Sequence, residues 1–241
     1  MSDTEEIAKA VQEVAKFGSK GIESAEKAGT FIARVFKAPI EEVSGIIHDK
    51  LRFVRWRRLI SMGDEVNRIL KEKGVKESRA VPPKLALPIF EEATLEDDES
   101  LQALWNQLLA NAMDPSFNGE LRYGFTDMIK NITGIEARFL SFFYDVLKQE
   151  GRVANLAQIT EYSLKKEQLM QALNIDETTY QISAFNLMRM QCITPAIFKS
   201  GGIMFGDEAA TIYKGTDAVT LTPLGVRFIE ACIAGAKKSA T

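Results

Sequence analysis

The chain has 241 residues, 46% of them hydrophobic and 26% charged, with a formal net charge of −3. Such a composition can bury one good core or two small ones, and two packed regions are expected. The near-cancelling charge gives no global field for nucleic acid or an anionic membrane, and two cysteines, Cys192 and Cys232, inside apolar runs suit buried thiols in a reducing compartment rather than a disulfide framework.

The opening Met1-Ser2-Asp3-Thr4-Glu5-Glu6 is acidic with no apolar segment behind it, unlike a secretory or transit leader. No run reaches the roughly 18 uninterrupted apolar residues of a membrane-spanning helix. A cytoplasmic location is expected. From residue 5 to 36, Ile7, Val11, Val14, Gly18, Ile22, Ala25, Gly29, Ile32 and Phe36 recur at helical spacing, which predicts one amphipathic helix or two short ones. Gly21, Ala25 and Gly29 form a small-residue stripe that lets another helix approach closely. A helix lying on a membrane surface over residues 5–36 is the alternative.

Pro39 opens the next helix, predicted to run to about Lys73 with a weak point at Ser61-Met62-Gly63 and a stop at Gly74. Its middle holds Lys50, Arg52, Arg55, Arg57 and Arg58, five cations in nine residues, interleaved with Phe53 and Trp56. Val81-Pro82-Pro83 reads as a stiff extended connection, and Leu85 to Phe90 as a short apolar segment broken at Pro88. Thr94 reads as a helix N-cap. Glu96, Asp97, Asp98 and Glu99 then fill the first turn, Asp97 completing a variant capping box, ahead of Leu101, Leu104, Trp105, Leu108 and Leu109. This helix ends near Met113 in the turn 114–119, and a further one is predicted from Leu121 to Asn131.

The character changes after Thr133-Gly134, where a domain boundary is placed. The chain then divides into an N-terminal amphipathic segment (1–38), a helical core (39–133) and a C-terminal module (134–241). The module opens with a helix from Ile135 to Gln149 that Gly151 ends. Ser163 caps a second helix through Leu173, and Asp176 caps a third through Met190. Strands are predicted at 193–198, 203–205 and 218–222, and a last helix from Pro223 to about Ala236. The fold class is mainly α: an N-terminal helical region followed by a winged-helix-like α+β module with a small β-ribbon.

Catalytic patterns are missing. His48 is the only histidine, which removes His-pair metal sites and Ser-His-Asp triads from a monomer, and no phosphate-binding glycine loop or nucleophile elbow can be read. Gly18-Ser19-Lys20-Gly21 has the GXXG spacing of an RNA-binding loop without its flanking strands. The acids Glu91, Glu92 and 96–99 point in different directions around a helix, which suits capping better than a hard-cation site. No catalytic residue, metal or cofactor is implied, and a non-enzymatic protein is expected.

The basic run 50–58 has the composition of a phosphate-binding patch with stacking aromatics. Competing readings are a solvated face, or intramolecular pairing of Arg52, Arg55, Arg57 and Arg58 with acids such as Glu96, Asp97 and Asp98. Residues 134–241 hold eleven Lys and Arg against eleven Asp and Glu. The helix in the DNA-recognition position of a winged helix carries Arg189 as its one cation, so contacts to protein rather than to DNA are expected there.

With Arg55-Trp56-Arg57-Arg58, Leu85-Ala86-Leu87-Pro88-Ile89-Phe90 and Leu95-Glu96-Asp97-Asp98-Glu99-Ser100-Leu101-Gln102-Ala103-Leu104-Trp105-Asn106-Gln107-Leu108-Leu109-Ala110-Asn111-Ala112, the chain resembles the Abi-alpha family of bacterial abortive-infection proteins. The likeness covers roughly residues 40–230, with Trp56, Trp105, Leu108 and Leu109 as the apolar core of the signature. It implies a bacterial cytoplasmic protein acting against bacteriophage by arresting infected cells, and it supplies no catalytic residues. A protein partner or self-association is expected. A nucleic-acid-binding regulator using 50–58 and the C-terminal module, and membrane perturbation by the N-terminal helices, are the alternatives. No small-molecule substrate is inferred.

Overall fold

The computed structural model describes residues 27, 29–37, 53–152, 156–196 and 217–233, with the backbone alone for 53–57. Residues 18–21, Ala25, His48, Lys50, Arg52 and the strand expected at 203–205 lie outside the described residues. The chain divides into two compact units, Met1–Asp97 with Trp105–Asn118, and Asp98–Leu104 with Gly119–Thr241.

The first unit contains α1 (residues 29–36), α2 (Phe53–Glu72), α3 (Pro83–Ala93) and the larger part of α4 (Glu99–Met113). The weak point expected at 61–63 is absent, and α2 runs unbroken through a buried Gly63. A Cβ there would lie 3.0 Å from the Phe31 ring, so the glycine admits α1 at close range. That packing offsets a helix-propensity penalty of about 1 kcal/mol. Gly74 stops α2 as predicted: at φ +74° its N–H bonds to Lys71 O at 3.0 Å, and that of Val75 to Leu70 O at 2.9 Å, the paired closure that a left-handed residue makes possible. The extended connection is tied to α1 by Val81 N–H to Val35 O at 3.0 Å.

Pro88 does not break the segment after this connection; it lies inside α3. An interior proline costs about 3 kcal/mol, but α3 buries Leu85, Ala86, Ile89, Phe90 and Ala93, and each large side chain returns about 1.5–3 kcal/mol. Phe90 meets Phe31 and Phe36 edge to face, with centroids 5.9 and 6.0 Å apart.

The structure also corrects the reading of Thr94. It ends α3 rather than starting α4, its hydroxyl donating to Phe90 O at 2.8 Å and Glu91 O at 3.2 Å. The cap of α4 is Asp98, whose Oδ1 accepts from Ser100 N–H at 2.8 Å and Leu101 N–H at 3.2 Å. Glu96 and Asp97 therefore precede the helix, and Glu99 is the acid of its first turn. A threonine hydroxyl serves either helix end, because it donates as readily as it accepts.

The second unit contains α5 (Gly124–Lys130), which starts later than predicted, α6 (Gly134–Gln149), α7 (Leu156–Glu161), β1 (Ser163–Lys165), α8 (Lys166–Leu173), α9 (Glu177–Arg189), β2 (Ile193–Pro195), β3 (Ala218–Leu221) and α10 (Pro223–Cys232). Ser163 is not a cap. It lies in β1 opposite Thr220, and α8 begins three residues later. Asp176 does cap α9, accepting from Thr179 N–H at 2.7 Å. The sheet is antiparallel in the order β1-β3-β2, with Thr220 facing Ser163 on one side and Thr194 on the other. Pro195 is tolerated because β2 is an edge. Phe139 stacks on Tyr180 at 6.1 Å, and Phe125 meets Phe228 edge to face at 5.6 Å. The protein is thus mainly helical with a small three-stranded sheet, and no described helix is long and apolar enough to cross a membrane.

Where α10 leaves β3, Thr222 N–H bonds to Cys192 O at 3.0 Å and its hydroxyl oxygen accepts from Gly225 N–H at 3.0 Å. A Cβ on Gly225 would come 2.0 Å from Cys192 O, which is backbone and cannot step aside. Gly225→Ala is expected to lower the unfolding free energy in a urea titration by about 1–3 kcal/mol or more. Gly124→Ala, where the added carbon meets nothing within 4 Å, should be neutral or gain up to about 1 kcal/mol. By the same titration Asp98→Ala should lose about 0.5–2 kcal/mol, and Asp98→Asn should keep most of it.

Candidate interaction sites

The cations and acids singled out in the sequence meet at one described point. Arg58, in α2, pairs with Asp97 and donates to Glu96 O at 2.8 Å and Thr94 O at 3.5 Å. The Asp97 side chain is 83% exposed, so the ion pair itself contributes only about 0–1 kcal/mol; the carbonyl contacts hold the α3–α4 turn. Glu96 turns its carboxylate onto Asp97 N–H at 2.9 Å. Asp98 packs its carboxylate against Gly134, where a Cβ would lie 2.0 Å from Oδ2. Arg55, Trp56 and Arg57 belong to α2, with side chains outside the described residues, as is all of Arg52. Trp105, Leu108 and Leu109 are buried as the signature suggested.

Among those leucines lies a polar group that the sequence reading passed over. Gln107 and Asn111 are fully buried on α4, with Gln107 Nε2 donating to Asn111 Oδ1 at 3.1 Å. Lys73 Nζ also reaches Asn111 Oδ1, stands 3.5 Å from Asp114 Oδ2 and lies 5.6 Å from the centre of the Phe117 ring. Arg79 closes the C-terminal end of α4, its Nε donating to Ala112 O at 2.8 Å and its backbone N–H to Met113 O at 2.8 Å. Two cations there complement the helix dipole. The clue in the sequence was the pair of amides four residues apart on an otherwise apolar face. Trp105 Nε1, Asn106 Oδ1 and Gln107 Oε1 are also buried, and none meets a protein partner.

In the second unit the buried Glu136 accepts from Thr133 N–H at 2.5 Å and from Asn186 Nδ2 at 2.8 Å, so it starts α6 and anchors α9. Around α9, Tyr180, Ser183, Ala184 and Leu187 face inward. Ile182 and Phe185 face outward, 65% and 60% exposed, the largest exposures among the described large apolar side chains. Their spacing of three residues, off the inward stripe, was the legible signal that went unused.

No described group of His, Cys, Asp and Glu could hold a metal ion. Both cysteines are buried and free; burial, and then the charge of Glu136, push the Cys192 thiol up to about 12, and burial likewise raises Cys232. Such thiols stay protonated and make poor nucleophiles at neutral pH.

Asp114 has a measurable electrostatic signature. Burial pushes its carboxyl up, but the Ser116 hydroxyl at 2.6 Å, the Ser116 N–H at 2.9 Å and the charge of Lys73 together outweigh burial and hold the pKa below its ordinary 3.8. A depressed folded-state pKa contributes stability that is present above the unfolded value and is lost as pH falls through the folded one. The stability gap between the protein and Asp114→Asn, followed by urea midpoints, should be constant near neutrality and shrink as pH falls below 3.8.

Searches among curated proteins and among solved structures return no match to the chain. One family model does match, that of abortive infection alpha, over residues 57–232. The matched span runs from the basic turn of α2 through the Arg58 contacts, the amide cluster and the outward face of α9 to the last residue of α10. With well over half of its length matched, the chain belongs to the abortive infection alpha family.

Proposed function

We propose that this chain defends bacteria against phage without catalysing a reaction, acting through protein contacts made by α9. Membership of the abortive infection alpha family supports the defence role. The observation that carries the contact role is the exposure of Ile182 and Phe185 at the middle of a helix that buries Tyr180, Ala184 and Leu187. Large apolar side chains gain little by facing water, and neighbouring exposed ones favour a protein-contact patch. The order helix, helix, strand, helix, helix, strand, strand over α6–α7–β1–α8–α9–β2–β3 is that of a winged-helix-like module with one short extra helix, α7, before its first strand, and it supports α9 in the recognition position. A helix reading DNA presents cations to phosphates, whereas α9 has Arg189 alone against Glu177. That balance favours a protein partner in the cytoplasm.

Plaquing efficiency on cells with and without the gene tests this. Expression should reduce plaquing for at least some phages, and Ile182→Glu with Phe185→Glu should restore it at unchanged protein level. Unchanged plaquing across a broad phage panel sinks the defence role; protection by the double variant equal to that of the parent sinks the role of α9.

A further inference from the structure

A cleft of about 570 Å³ lies along the seam between α1 and α2, inside the first unit. Phe31 lies against Gly63, and Arg34 Nη1 donates to Asn67 Oδ1. A step of three residues along α1 therefore matches a step of four along α2, and the two helices run in the same direction here. The missing Cβ of Gly63 lets the buried Phe31 ring form the floor, to which the half-buried Ile60 adds. Cavities of this size, apolar at the base with a few converging polar groups, suit small organic molecules.

The two walls differ in charge. Lys27, Thr30 and Arg34, spaced by three and four residues, share one helix face and put an ammonium, a hydroxyl and a guanidinium in a row. The Arg34 guanidinium is held by a neutral amide, which orients it without cancelling its charge. On the facing wall, α2 contributes the exposed carboxylate of Asp64. A planar fork of donors, a compact cation and a hydroxyl in one row match the oxygens of a phosphate group. A carboxylate opposite accepts hydrogen bonds from hydroxyl groups and repels a second anion. We propose that the α1–α2 cleft binds a small phosphate monoester rich in hydroxyl groups, of the sugar-phosphate or mononucleotide kind. Its phosphate lies on the wall of Thr30 and Arg34, its hydroxyls on Asp64 and its skeleton over Phe31 and Ile60. The family match begins at residue 57 and so does not extend to the cationic wall.

Isothermal titration calorimetry of the full chain with glucose 6-phosphate, adenosine monophosphate, inorganic phosphate and glucose reads this directly. At least one of the two esters should bind with a dissociation constant below about 1 mM, inorganic phosphate more weakly, and glucose not at all. Arg34→Ala should raise the constant for the ester at least about tenfold. Thr30→Trp, which sets a bulky ring in the cleft from an exposed position, should abolish binding. Circular dichroism should be unchanged in both variants. Asp64→Ala should weaken the ester a few-fold and leave inorganic phosphate no weaker. Failure of both esters to bind at millimolar concentration overturns the proposal, as does glucose binding as tightly as glucose 6-phosphate. So does ester affinity that is indifferent to Arg34→Ala, Thr30→Trp or Asp64→Ala.

Discussion

Helix ends leave backbone donors and acceptors without partners, and the turn from Thr94 to Asp98 has two such ends to settle in five residues. The solution draws on three side chains of different chemistry. The Thr94 hydroxyl takes the last carbonyls of α3, the Arg58 guanidinium takes those of Thr94 and Glu96, and the Asp98 carboxylate takes the first N–H groups of α4. Each does what the others could not: a carboxylate accepts only, a guanidinium donates only, and a hydroxyl does both. Further along α4, Trp105, Leu108 and Leu109 are buried.

Once buried, α4 brings amides with it. A helix of leucines alone could rotate or slide by a turn at little loss, since apolar contacts are non-directional. Gln107 and Asn111 remove that freedom. The hydrogen bonds among Gln107, Asn111 and Lys73 form in this arrangement, and a rotation or slide that broke them would add to the buried atoms already without a protein partner, such as Gln107 Oε1, at about 1–3 kcal/mol each. Lys73 and Arg79 finish the same helix from its C-terminal side. The polar residues of the family signature thus select one packing, and the apolar ones supply the driving force.

Within the span that the abortive infection alpha family matches, several reactive or charged groups are turned to structure. The thiols are sealed away, Arg58 is occupied with the carbonyls and Asp97 of the α3–α4 turn, and Lys73 with Asn111 and Asp114. The surface of α9 is different. It exposes Ile182 and Phe185, the most exposed of the described large apolar side chains, on a helix tied to Glu136 through Asn186. A helix anchored in this way has little conformational freedom left to lose, and loss of such freedom is a main cost of any association.

Much of this architecture could be read from residue order. Gly74 and Gly151 as stops, Asp176 as a cap, the mainly helical class and the burial of Trp105 follow from rules that act within a few residues, and the structure bears them out. The failures share a different origin. Thr94 and Asp98 are both competent caps, and only the placement of Arg58 and of the α3 carbonyls assigns each to its helix end. Ser163 looks like a cap until β3, more than fifty residues on, offers it a strand partner. Pro88 and Gly63 are helix breakers by propensity and helix residues in fact, because burial of α3 and the approach of Phe31 outweigh the local penalty. Local backbone and capping preferences, worth about 1 kcal/mol each, were settled by the sequence itself. The paired amides and the off-stripe Ile182 and Phe185 were also visible in residue spacing, whereas the strand pairing, the true start of α4 and the Lys73 contact to the amides were decided by tertiary contacts, whose partners lie too far along the chain for any local pattern to announce them.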